Sequence, residues 1–252
     1  MATNDRQARE ERSRLRTYQA RQEVHRRSVR RRTRDNVLAG IGLVVVLTLA
    51  VVAQLFYFSA GPGAPEATPT PTPTPEAEAP SPDLAEDRTW VGALSLNDVP
   101  LSIELDGQAA PQAVASTVSL ADSGFYDGLA CHRLTTQGIF VLQCGDPNGD
   151  GTGGPGYSYG PIENAPADDV YPAGTIAMAR AGGAAESQGS QFFIVYEDST
   201  IPSDAAGGYT VIGRVTDGLD ALRSDITDLG VADGAPDGAP ADAVTITAFE
   251  VE

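Results

Sequence analysis

The chain has 252 residues, no lysine, two cysteines and a formal charge of −17. That length holds one or two domains, and two cysteines exclude both a disulfide-built scaffold and a cysteine-rich zinc site. Without lysine there is no P-loop phosphate contact, Schiff base or lysine general base, so nucleotide hydrolysis is not expected.

The charge is unevenly divided. Residues 1–35 carry twelve Arg against five acids, a net +7, whereas residues 61–252 carry five Arg against twenty-nine acids, a net −24. The basic arm, 1–35, has no interleaved aromatics and no recognition motif, so nucleic acid is not an expected partner and its arginines read as topogenic. It is followed by Val37–Phe58, an uncharged apolar run, VLAGIGLVVVLTLAVVAQLFYF. At 1.5 Å per residue such a helix is about 33 Å long, enough for the hydrocarbon layer of a bilayer. Arm and run are both longer than those of a cleavable signal peptide, so residues 36–59 are expected to stay in the lipid bilayer as a single transmembrane signal anchor. Arg30, Arg31, Arg32 and Arg34 abut its N-terminal end, and the next basic residue is Arg88. The positive-inside rule then places the arm in the cytoplasm and the acidic C-terminal part outside it.

Residues 60–88 are rich in Pro, Thr and acids, with Thr-Pro repeats that favour polyproline II and too few apolar side chains to offset ordering entropy. They read as a disordered stalk, with a reach of roughly 80 Å if fully extended. An ordered domain is expected over 89–252. GALSLN and VPLSIELDG alternate around Asn97-Asp98 as a hairpin, and AVASTVSLAD after Pro111 predicts a short helix with Val114, Val118 and Ala121 on one face. LACHRL, IFVLQCG, AGTIAMARA, SQFFIVYE, YTVIGRV and AVTITAFEV read as strands, and Gly218–Asp228 as a second helix. Many strands with two helices suggest a closed antiparallel barrel with helical caps.

Three blocks carry the sharpest signal: FYDGLACHRLTTQGIFVLQCGDPNGDGTGGPGY (125–157), GTIAMARAGGAAESQGSQFFIVY (174–196) and YTVIGRVTDGLDAL (209–222). In order and spacing they resemble the cyclophilin family, whose pattern runs FYDG, a strand with HR, FMxQGGD, a GTGG loop, MANA, GSQFFI and a late FG strand. The resemblance covers roughly residues 92–252. It implies a mainly β fold, a closed eight-stranded antiparallel barrel with two capping helices. It also implies peptidyl-prolyl cis/trans isomerase activity on proline-containing polypeptide segments.

The chemistry fits the residues. Isomerising an X-Pro bond means rotating an amide over a barrier of about 18–20 kcal/mol, and neither a covalent step, a metal nor a cofactor is required. A donor that disfavours amide resonance helps. Arg133 can direct guanidinium N–H groups at the prolyl nitrogen, and in the family this is the catalytic arginine. Gln143, on the next strand, is placed to bond Arg133 or the substrate backbone. Phe140, Val141, Phe193 and Ile201 are candidates for the apolar slot that takes the proline ring, against a competing role in the core. Phe192 and Phe193 must face opposite sides of their strand, and the resemblance selects Phe193 for the groove. Ala179, Arg180 and Gln191 match positions that hold the substrate backbone, with Arg180 in place of the usual Asn as a donor.

The chain departs from the family pattern in several places. Two extra residues fall between Arg133 and Gln143 and two more between Ala179 and Gly189, Val141 stands for the usual Met, and Tyr209 replaces the site His. The family's binding-site Trp has no counterpart in STIPSD (199–204), so strong cyclosporin binding is not expected. Asp146, Asn148, Asp150 and Gly151 imitate the start of an EF-hand loop, but Tyr157 occupies the bidentate Glu position, and no metal is expected. Gly149, Gly151 and Gly154 fit G-x-G-x-x-G but precede Pro155 and no helix. His132 is expected to be a structural histidine with its hydrogen bonds satisfied.

Cys131 and Cys144 are expected to form a disulfide, since an outward location is oxidising and the two strands can pair. Simple alternation objects, because Cys131 shares a face with Arg133 whereas Cys144 lies opposite Gln143. A bulge or strand end would be needed, and two buried free thiols are the alternative. The functional expectation is a monomeric, membrane-anchored folding catalyst. A non-catalytic peptide-binding or chaperone module, or an envelope spacer, are its competitors.

Overall fold

The computed structural model describes residues 41, 46–51, 54 and 77–252. The chain divides into Met1–Thr74 and Pro75–Glu252. In the first unit the described residues are helical and exposed. Among the described residues no helix is long and apolar enough to cross a membrane. The basic arm, most of Val37–Phe58 and most of the stalk lie outside the described residues.

The domain starts before the expected boundary at residue 89: a 3-10 turn, Pro82–Ala85, lies within the expected disordered stalk and buries Ala85, whose carbonyl accepts the Trp90 indole N–H at 2.9 Å. Strands β1 (Thr89–Leu96) and β2 (Val99–Asp106) follow. Alternating apolar residues bury Leu94, Leu96, Leu101, Ile103 and Leu105, and Asn97-Asp98 closes the hairpin with Leu96 opposite Val99. Asn97 takes a left-handed φ of 52°, the conformation such a turn requires. Helix α1 (Pro111–Asp122) starts on its proline, as the sequence predicts, but its N-cap, Ala110, has no side-chain acceptor. Glu163 supplies one from a distant loop, accepting the N–H groups of Gln112 at 3.1 Å and Ala113 at 3.0 Å. The helix buries nearly its whole middle, Ala113 to Val118, rather than one narrow face, because small Ala, Ser and Thr side chains let the sheet approach closely.

The remaining strands are β3 (Arg133–Thr135), β4 (Val141–Cys144), β5 (Val170–Tyr171), β6 (Thr175–Met178), β7 (Phe192–Val195), β8 (Ser199–Thr200), β9 (Val211–Asp217), β10 (Asp237–Gly238) and β11 (Ile246–Val251). Helix α2 covers only Leu219–Asp225, and a 3-10 turn, Thr227–Leu229, completes the segment expected to be one helix. Its N-cap, Gly218, has a φ of 91°, and a Cβ there would lie 2.3 Å from the Pro100 carbonyl oxygen.

Among the described residues the main antiparallel sheet has nine strands, in the order β10-β3-β4-β7-β6-β9-β2-β1-β11, and β5 pairs with β8 separately. Nine strands stand where eight were expected. Among the described residues no strand ladder joins the ends of the sheet; the irregular chain before β3 bonds to the start of β11 instead. Cys131 N–H donates to Val244 at 2.9 Å, Ile246 N–H to Leu129 at 2.9 Å and Gly128 N–H to Ile246 at 2.8 Å.

Two apolar clusters occupy opposite faces of the central strands. On β7, Phe192 and Ile194 join the main core, whereas Phe193 and Val195 join a smaller cluster with Val141, Tyr171, Ala177 and Ile201. Strict alternation sorts them, and β4 and β6 divide in the same way.

Candidate functional site

A groove of about 290 Å³ opens over the smaller cluster. Gln143 on β4 lies opposite Arg133 on one side and Phe193 on the other, and Phe193 lies opposite Ala177. Three adjacent strands therefore present Arg133, Gln143 and Phe193 in a row. Val141 and Ile201 line the same groove, with Ile139 and Ala179 packed beside them.

Phe140 does not contribute. Its ring packs edge-on against Tyr196, at 5.9 Å between centroids, and belongs to the main core. Ile139 takes the groove position that the sequence reading gave to Phe140. The period of two from Gln143 back through Val141 to Ile139 was the available signal.

Arg133 is held on two sides. Its Nε donates to Asp237 Oδ1 at 2.8 Å and its Nη2 to Asp237 Oδ2 at 2.7 Å, while Nη1 reaches Gln143 Oε1 at 3.4 Å. Of the five guanidinium N–H groups, two remain without a partner among the described residues. The side chain is 40% exposed. The Asp237 hydrogen bond raises the arginine pKa and holds the Asp237 carboxyl below its usual range, so the pair is ionised at neutral pH. Gln143 is oriented in turn: its Nε2 donates to Gln191 Oε1 at 2.9 Å, and Gln191 Nε2 donates to the Gly153 carbonyl at 2.9 Å. Asp237 was not among the residues expected from the sequence, because it lies 104 positions from Arg133 in a Gly-, Ala- and Pro-rich stretch without a motif.

A family model described as "Cyclophilin type peptidyl-prolyl cis-trans isomerase/CLD" matches residues 93–251. The chain belongs to this family. A protein of Mycobacterium tuberculosis named "Probable peptidyl-prolyl cis-trans isomerase B" is 47% identical over 163 residues, covering 60% of this chain and 51% of the relative. "Peptidyl-prolyl cis-trans isomerase B" of Bacillus subtilis is 44% identical over 124 residues, covering 49% of this chain and 81% of that protein. The chain thus spans about half the length of the mycobacterial relative. Among solved structures, a cyclophilin type isomerase of Cryptosporidium parvum matches with a TM-score of 0.54 and 25% identity, over 66% of this chain and 98% of that one. The same protein determined in the presence of the dipeptide Ala-Pro matches with a TM-score of 0.54 and 26% identity, over 64% and 98% of the two chains.

Within this cyclophilin the expected donor role of Arg180 needs correction. Its side chain is 1% exposed and spends all five N–H groups inside the protein. They go to the carbonyls of Ala181, Gly207 and Gly208 and to both oxygens of Asp204. The guanidinium also lies 4.8 Å from the centre of the Tyr209 ring, which packs edge-on against Phe193 at 5.5 Å. Arg180 therefore fastens the 204–209 rim and sets Tyr209 against the groove wall. Its hydrogen bond is the leading cause that drives the Asp204 carboxyl far below the usual range.

His132 also departs from expectation. Both ring nitrogens are shielded from solvent and have no hydrogen-bond partner among the described residues, where partners were expected. Burial lowers its pKa despite the nearby Asp146, which keeps the ring neutral at pH 7. Asp146 is itself buried; the N–H groups of Asn148, Gly151 and Asp150 outweigh that burial and hold its carboxyl below the usual range. The apparent EF-hand residue thus closes its own glycine-rich loop. Beyond that loop the groove continues into a second concavity of about 330 Å³, bordered by Gly153, Ala179 and Gln191.

Cys131 and Cys144 are joined by a disulfide. The alternation objection is resolved by a strand end: β3 starts only at Arg133, so Cys131 is free of strand geometry and turns into the main core beside Cys144.

Replacing Phe193 by Ala is expected to raise KM for a proline peptide several-fold and to cost about 2 kcal/mol of stability. That is less than for a sealed core phenylalanine, because solvent can enter the widened groove. Peptide titration and thermal unfolding check it; lost stability with unchanged KM would place Phe193 in the core alone.

Proposed function

We propose that this chain is a peptidyl-prolyl cis/trans isomerase acting on X-Pro bonds in extended segments of extracytoplasmic proteins, and that it assists their folding. The observation that carries the reading is Arg133, with two uncommitted N–H groups at the edge of an apolar slot built from Val141, Phe193 and Ile201. The slot holds the proline ring while the flanking bond turns. As the amide twists, its nitrogen regains a lone pair, and a donor aimed at that nitrogen stabilises the twisted state more than the planar one. Gln143 and Gln191 offer amide groups to the substrate backbone.

The full-length chain in detergent is expected to accelerate cis/trans exchange in a proline tetrapeptide, followed by exchange NMR. Binding without acceleration would support the non-catalytic peptide-binding alternative, and neither would overturn both.

The proposed setting is a single-pass anchor through residues 36–59, with the arm cytoplasmic and the domain outside. It is supported by the uncharged run, the arginine cluster before it and the oxidised cysteine pair. Protease added to intact cells is expected to release or digest the 89–252 domain; full protection of that domain would refute the outward orientation.

A further inference from the structure

We infer that Asp237 is a positioning residue for this reaction, its carboxylate holding the Arg133 guanidinium so that the two free N–H groups face the proline slot. The inference rests on the isomerase reading above and adds to it a residue that the family motifs do not contain.

The contact is built into the backbone. Strand β10 is only Asp237–Gly238, yet it adds to the sheet edge beside β3, with Asp237 opposite Thr135 and Gly238 opposite Leu134. The flanking chain is pinned as well. Thr136 N–H donates to the Pro236 carbonyl at 2.9 Å, Ala232 N–H to Ala239 at 2.8 Å and Ala241 N–H to Gly230 at 2.8 Å. Residues 230–241 therefore fold back on themselves and present the Asp237 carboxylate at a fixed point on the rim.

Its geometry matches the arginine fork. Two parallel bonds of 2.8 and 2.7 Å engage Nε and Nη2 edge-on, the bidentate arrangement that fixes the guanidinium plane as well as its position. Gln143, itself tied to Gln191, bounds the opposite edge. An arginine side chain otherwise samples many rotamers, and a donor that acts only in the twisted state gains from being oriented beforehand.

A carboxylate beside the guanidinium lowers the positive potential felt by the prolyl nitrogen, and on that ground Asp237 would be a brake. Arg133 and Asp237 side chains are 40% and 50% exposed, so water screens this charge effect, whereas the directional constraint of two short bonds is not screened. Orientation therefore dominates.

The test is steady-state kinetics on the full-length chain with a proline tetrapeptide. Asp237→Ala is expected to lower kcat about fivefold with KM changed less than about twofold, and D237N, which keeps one acceptor oxygen, to fall between it and the wild type. In an Arg133→Ala background the Asp237→Ala change is expected to have no further effect, which a merely structural role would not produce. Unchanged or raised kcat in Asp237→Ala, or an equal loss in both backgrounds, overturns the inference while leaving the isomerase reading intact. An inactive wild-type chain overturns both. The Arg133 Nε–H resonance reports the clamp independently of turnover: it is expected to exchange slowly with water in the wild type and rapidly in Asp237→Ala, and fast exchange in both overturns the clamp.

Discussion

Arg133→Ala is expected to lower kcat/KM for a proline tetrapeptide about a hundredfold, near 2.7 kcal/mol of transition-state stabilisation, while the melting temperature stays within about two degrees. The size follows from what else the groove offers. Arg180 has no free N–H, His132 is neutral and shielded, and Gln143 and Gln191 are neutral amides already bonded to each other. The stability effect is small because the Arg133–Asp237 pair is substantially exposed and its loss leaves Asp237 solvated. Arg133→Lys keeps a charge but not the fork, and is expected to recover little of the rate. The Asp237 carboxyl is depressed, so the pairing is fully present above the ordinary carboxylate pKa of about 3.9 and is lost as pH falls through the lower folded value. The rate is accordingly expected to be independent of this pair from about pH 5 upward. A folded Arg133→Ala protein with wild-type kcat/KM would sink the mechanism.

Reducing the Cys131–Cys144 bond, or replacing both cysteines by alanine, is expected to cost about 3 kcal/mol and to lower the melting temperature by roughly 6–12 degrees. The bond closes a short loop that contains β3, the following turn and β4, so most of the effect comes from restricting the unfolded chain. Both sulfurs also sit in the main core, where an alanine pair leaves unfilled space. Thiol titration of denatured, unreduced protein should find no free thiol. A shift under about two degrees would show that the bond is stabilisationally idle.

The legible parts of the sequence were those governed by short-range rules. Asn97-Asp98 marks its hairpin, Pro111 its helix start, and the Phe192-Phe193 pair its two faces, because each depends on neighbours one or two positions away. Family motifs located Arg133, Gln143 and the groove. Long-range pairings were not legible: Glu163 capping α1, Asp237 gripping Arg133 and Asp204 consuming Arg180 all join segments with no shared pattern. The two-residue strands β5, β8 and β10 are too short to leave a periodicity. Phe140 and Val141 are adjacent and face opposite sides of their strand, so the family motif that points to both can be right for only one.

The division of the central strands into two apolar faces bears on how this protein can change. Val141, Phe193 and Ile201 shape the slot, yet they share their packing with only a few neighbours and are separated by the backbone sheet from Phe192, Ile194 and the rest of the interior. Substitutions that widen, narrow or tilt the slot therefore act first on this smaller cluster, while the larger apolar core lies on the other side of the partition. Slot shape and the larger core are set by alternate residues of the same strands, so the first can diverge between descendants of one ancestor while most of the second is retained.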